Sequence, residues 1–162
     1  MSIFEHYTKL FMKQLAIHNG DATISFALCY GNELDLNGLD YLAKIKYEFY
    51  GRTIYAEHIW GLYLGEIASF IEGMKCMHRD LKGQAKLSTY EGDTLLLTME
   101  ECGHIMVDVK DGIEGYNGFL HISFEIDQSY LPELITQTES FCPIKEEVAK
   151  KKSFFQRLGI SK

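Results

Sequence analysis

A chain of 162 residues has the size of one compact domain. With 46% hydrophobic and 13% aromatic residues and only two prolines, it excludes the disordered and low-complexity classes. Sixteen Lys and Arg against 23 Asp and Glu leave a formal charge of -7, the wrong sign for neutralising phosphates, so no direct nucleic-acid partner is expected and a charged partner should be basic.

Ser2 and Glu5 fit a capping box, and Ile3, Tyr7, Leu10, Phe11 and Leu15 recur at helical spacing, which predicts an amphipathic helix over residues 3 to 16. From Thr23 the period becomes two. Ile24, Phe26, Leu28 and Tyr30 then share one face of a strand, and Ser25, Ala27 and Cys29 the other. After a polar stretch, residues 41 to 50 alternate with Ala43, Ile45, Tyr47 and Phe49 inward, and Gly51-Arg52 predicts a tight turn into a strand from Thr53 to Trp60.

Leu64, Ile67, Phe70, Ile71, Met74, Met77 and Leu81 mark one face of a helix over about 64 to 81, stopped near Lys82-Gly83. Strands at 85–90, 94–99, 104–110 and 119–127 follow, separated by glycine-bearing turns, as in an antiparallel meander. In the last of them Leu120, Ile122, Phe124 and Ile126 face inward. Asp127 or Ser129 serves as N-cap and Pro132 lies in the first turn of a helix over about 129 to 141. The fold class is therefore α+β, mainly antiparallel sheet with an N-terminal, a middle and a C-terminal helix. Alternation gives faces and not pairing order, so one curved sheet and two packed sheets both fit. A single domain over 1–143 is expected, followed by a basic helix or tail over 144–162.

The charge is unevenly placed. Residues 1–86 carry nine basic and ten acidic side chains, residues 87–141 carry Lys110 alone against eleven acids, and residues 142–162 reverse to six basic against two acidic. Like charges held on one folded surface repel, so the middle block points to a partner that relieves them. A solvated face kept for solubility has the same composition.

Chemistry-bearing motifs are absent. No Gly-x-Ser-x-Gly, His-Glu-x-x-His, P-loop or dinucleotide fingerprint occurs, and Gly61-Leu62-Tyr63-Leu64-Gly65 is too short to cradle phosphate. His104 and His121 could lie side by side across a hairpin beside Asp108, Glu125 and Asp127, but with no nucleophile placed near them the pair reads as a polar solvent face. Cys76-x-His78 and Cys102-x-His104 lack structural zinc spacing, so no metal and no cofactor is expected. Cys29, Cys76, Cys102 and Cys142 include no Cys-x-x-Cys and read as reduced, mostly buried thiols. The N-terminus lacks a signal-peptide pattern and no run of about 18 apolar residues occurs, so a cytoplasmic protein without membrane contact is expected. The basic residues after 144 could fold back onto the acidic block.

Four segments in order carry a resemblance: Phe70-Ile71-Glu72-Gly73-Met74, Leu81-Lys82-Gly83-Gln84-Ala85-Lys86-Leu87, Gly103-His104-Ile105-Met106-Val107-Asp108-Val109, and Phe124-Glu125-Ile126-Asp127-Gln128-Ser129-Tyr130-Leu131. Over about residues 60 to 141 the chain resembles the WapI-type immunity proteins. That resemblance implies a bacterial cytoplasmic antidote, not an enzyme, which binds the C-terminal toxin domain of a contact-dependent polymorphic toxin, in the namesake system a tRNA-cleaving nuclease. The matching residues are mostly fold-building ones, among them Gly103, Ile105, Val107, Val109, Phe124 and the cap Asp127.

An acidic surface can occupy a basic nuclease site as a phosphate mimic, and complementary charge speeds the encounter. The expected toxin-binding set is Glu91, Asp93, Asp108, Asp111, Glu114, Glu125 and Asp127, with Tyr116, Phe119 and Tyr130 as aromatic anchors. The alternative is a small-ligand binding or sensing domain, for which a large apolar cavity would be the sign.

Overall fold

The computed structural model describes residues 14–28, 38–112 and 118–141. Eight strands and two α-helices run in the order β1 (Gln14–His18), β2 (Ala22–Leu28), β3 (Gly38–Phe49), β4 (Arg52–Tyr63), α1 (Leu64–Asp80), β5 (Gln84–Ser88), β6 (Thr94–Met99), β7 (His104–Asp111), β8 (Leu120–Asp127) and α2 (Leu131–Phe141). They make two antiparallel four-stranded sheets, β1-β2-β3-β4 and β5-β6-β7-β8, each in sequence order and each followed by a helix. The choice between one curved sheet and two is settled as two.

Within the helix expected over 3 to 16, residues 14–16 belong to β1, paired with β2 through Leu15↔Phe26 and Ile17↔Ile24. Residues 3–13 lie outside the described residues, as does the segment 144–162. Leu15 looked helical because it continues an i, i+4 series. Tertiary pairing overrides that periodicity, since Leu15 and Ile17 are two apart, on one face of the strand, and both are buried.

The β3–β4 hairpin turns at Tyr50-Gly51, both at positive φ (47° and 71°), the geometry that matches the twist of the flanking strands. Its pairing, Phe49↔Arg52 through Gly38↔Tyr63, makes β3 and β4 twelve residues each. Helix α1 buries Ile67, Phe70, Ile71, Met74 and Met77, the expected face. It ends at Asp80, one residue before the expected end, and Leu81 rather than Gly83 closes it: Leu81 takes the left-handed conformation (φ 49°, ψ 36°) and its N–H donates to the Met77 carbonyl at 2.9 Å. Gly73 lets α1 approach β5, because a Cβ there would sit 3.0 Å from both Cα and Cβ of Ala85. In the last helix, Asp127 caps by accepting the Ser129 N–H at 2.8 Å, through a short 3-10 turn over Gln128–Tyr130.

Both sheets and both helices contribute to one buried cluster, with Phe26, Tyr41, Trp60, Phe70, Leu95 and Val107 all fully buried. Burial of aromatic and aliphatic side chains at about 25 cal/mol per Å² is the main stabilising term. The two edges of the first sheet are treated differently. At β1 the helix α2 lies alongside, and the Ala16 N–H donates to Gln137 Oε1 at 3.0 Å. At β4, residues 52–59 are exposed except for half-buried Ala56.

Candidate functional site

The expected acidic set does not form one footprint. Asp93 and Asp111 come together, but inside the protein, at 2% and 6% exposure. Asp93 accepts the Gly112 N–H at 2.8 Å and the Thr89 hydroxyl at 3.0 Å. Asp111 accepts the indole N–H of buried Trp60 at 2.7 Å, and its Oδ1 lies 3.1 Å from His58 Nδ1. Asp111 therefore joins β4 to the end of β7, and Asp93 ties the turn after β5 to that same end; both are buried, and charge density along the sequence cannot distinguish a solvated carboxylate from a buried acceptor. Ligand atoms of His58, Asp93 and Asp111 lie within 4.8 Å of one another, so this trio is the place among the described residues that could hold a metal ion. Indole, hydroxyl and amide donors already engage both carboxylates there.

Thr89 builds the turn that follows β5. Its Oγ1 accepts the N–H groups of Glu91, Gly92 and Asp93 at 3.2, 3.1 and 2.9 Å, while its hydroxyl donates to Asp93. Tyr90 and Glu91 are left exposed at the tip. Sequence reasoning missed Thr89. The signal was a threonine four residues before an aspartate across a glycine turn, where the hydroxyl competes for the turn's backbone.

Asp108 lies on the outer face of the second sheet, accepting from the Ser123 hydroxyl and 3.4 Å from His121 Nε2. Glu125 is exposed on the same face, 4.0 Å from His104. Asp127 is exposed at the far end, where the Ser129 hydrogen bonds hold its carboxyl below the usual carboxylate range. Phe119 is half-buried; Glu114 and Tyr116 lie outside the described residues. Tyr130 is exposed at one edge and meets His18 edge-on at 6.0 Å.

His104 and His121 do not lie side by side. His104 pairs with Asp127 and His121 with Lys110, six residues along β7 from His104, a separation of about 20 Å at strand rise. Cys76 and Cys102 are free and exposed rather than buried as expected, with Cys76 accepting from Arg79 at 3.6 Å, and Cys29 and Cys142 lie outside the described residues. A cleft of about 60 Å³ lies between β1 and α2, lined by Ile17, His18, Tyr130, Leu134 and Gln137 among others, far below the roughly 300–1,000 Å³ of a small-molecule site. No helix among the described residues is long and apolar enough to cross a membrane.

Exposed large hydrophobic side chains are concentrated elsewhere. Phe49, Tyr50, Ile54, Tyr55, Ile59 and Tyr63 lie on the β3–β4 hairpin, and Tyr90 beside it. The Tyr90 ring rests on Gly61, where a Cβ would fall 1.9 Å from its Cε1. Its centroid is 5.9 Å from that of Tyr63, with the rings tilted by 57°. Partial burial raises the Tyr90 hydroxyl pKa, and the negative charges of Asp40 and Glu91 push it the same way.

Two sequential β4α units around one core define an α+β class of two packed meanders, each followed by a helix. The solved structure titled as that of the plant transcriptional regulator PBF-2 has a similar fold, with a TM-score of 0.56, 12% sequence identity, and coverage of 90% of this chain and 89% of that one. A comparison with curated proteins finds no match. The family is shown by a match to the model described as "Immunity protein WapI-like family" over residues 18–142: this chain belongs to that family. The match begins at His18 and so takes in nearly all of the first sheet, well beyond the resemblance over residues 60–141.

Proposed function

We propose that this protein is a non-enzymatic antidote that binds the toxin domain of a polymorphic bacterial toxin and blocks it. Membership of the WapI-like immunity family carries the reading. The toxin domain is basic, in the manner of a nuclease, and meets carboxylates that remain in solvent: Glu91 at the Thr89 turn, Glu125 on the outer face of the second sheet and Asp127 at its end. Asp108 contributes from a half-buried position, while Asp93 and Asp111 hold the surface together from below. Opposite charges raise the encounter rate and weigh against wrong partners, and packed anchors supply most of the affinity.

The test is association kinetics with the C-terminal toxin domain that the immunity reading expects the neighbouring upstream gene to encode. The double substitution Glu91→Lys/Glu125→Lys is expected to slow association about tenfold at low salt, with the difference shrinking as ionic strength rises. Equal association rates at low salt would remove the electrostatic part of the proposal. Failure of the wild-type protein to bind that domain, or to protect cells expressing it, would remove the immunity reading.

A further inference from the structure

We infer that the Tyr63–Tyr90 pair beside Gly61 is the seat for an arginine or lysine side chain of the toxin domain. The inference rests on the immunity reading and adds an aromatic contact beside Glu91, one of the exposed carboxylates. Tyr63 and Tyr90 are 46% and 60% exposed, although tyrosine has an apolar ring that water does not favour. Their rings are set rather than trailing. Tyr90 projects from a turn whose backbone N–H groups converge on Thr89 Oγ1, and it lies over a glycine in β4 that leaves room for it. Tyr63 closes β4 immediately before α1, which fixes its backbone. The Asp93–Gly112 and Trp60–Asp111 hydrogen bonds hold the turn and the strand in mutual register from beneath.

Charge complementarity identifies the occupant. Asp40 and Glu91 bring negative potential to the Tyr90 hydroxyl, and the π face of a tyrosine carries negative charge of its own. Two tilted rings with neighbouring carboxylates attract a cation that can lie against a ring, which describes a guanidinium or an ammonium on an aliphatic stem. A neutral apolar anchor would gain nothing from those carboxylates.

The test measures dissociation of the neighbouring-gene toxin domain from immobilised full-length protein, with circular dichroism and thermal unfolding as fold controls. Tyr63→Ala/Tyr90→Ala is expected to raise the dissociation rate about tenfold or more. Tyr63→Phe/Tyr90→Phe, which keeps both faces, should stay within about threefold of wild type, and Tyr63→Leu/Tyr90→Leu, which keeps apolar bulk without a π face, should behave like the alanine variant. An alanine variant that dissociates at the wild-type rate would overturn the docking surface. Wild-type dissociation by the leucine variant would overturn the cationic occupant. If the wild-type protein does not bind the domain, the immunity reading falls and this inference with it; binding unaffected by all three variants refutes the inference alone.

Discussion

Asp111→Ala removes one carboxylate and tests how β4 is fastened to the second sheet. Trp60 is fully buried, and Asp111 accepts its indole N–H at 2.7 Å. A hydrogen bond to a charged acceptor contributes about 1.5–3 kcal/mol, and a buried donor left without an acceptor costs about 1–3 kcal/mol. These are overlapping views of one loss and do not add in full. The proximity of Asp93, within 4.8 Å, offsets part of it, because deleting one of two buried carboxylates relieves their repulsion. The expected net destabilisation is about 2–3 kcal/mol. Asp111→Asn keeps an acceptor oxygen of the same size and should cost about 1 kcal/mol. The assay is urea unfolding followed by tryptophan fluorescence. Trp60 is the only tryptophan, so the signal reports this junction directly. Agreement with backbone circular dichroism would confirm a single transition. A stability for Asp111→Ala within about 0.5 kcal/mol of wild type would refute the fastening role.

Gly73→Val should lower stability by about 2–3 kcal/mol by urea titration, because the new side chain meets the Ala85 backbone, which cannot move as a flexible side chain could. For Asp127, the hydrogen bonds from Ser129 hold its folded pKa low. Its capping contribution is therefore present above the unfolded carboxylate pKa and is lost as pH falls through the folded value. An NMR titration should give a midpoint below that of an ordinary aspartate. Ser129→Ala, which removes the hydroxyl donor, should raise that midpoint.

Much of the architecture was legible because it rests on periodicity. The β7 and β8 faces, the buried face of α1 and the cap at Asp127 were all readable from residues on one element. The strand β1 was not readable, because Leu15 and Ile17 acquire their meaning only from pairing with Phe26 and Ile24. The family motif shows the same division. Gly73 is one residue within a motif segment of the sequence, and the reason for a glycine there is a close approach to the Cα and Cβ of Ala85 that only the packed helix reveals.

The candidate site was less legible, since function depends on what shares a surface. Sequence alone determined the net charge of -7, its concentration between residues 87 and 141, and the order of two helices and a meander. Tertiary structure decided which of those charges meet solvent. It turned Asp93 and Asp111 inward to satisfy a turn and an indole, left Glu91 and Glu125 outside, and set His104 and His121 far apart. It also brought Tyr90 onto Gly61, twenty-nine positions earlier in the chain. The physical reason is that charge and hydropathy belong to single residues, whereas burial, pairing and adjacency belong to pairs of elements packed against one another.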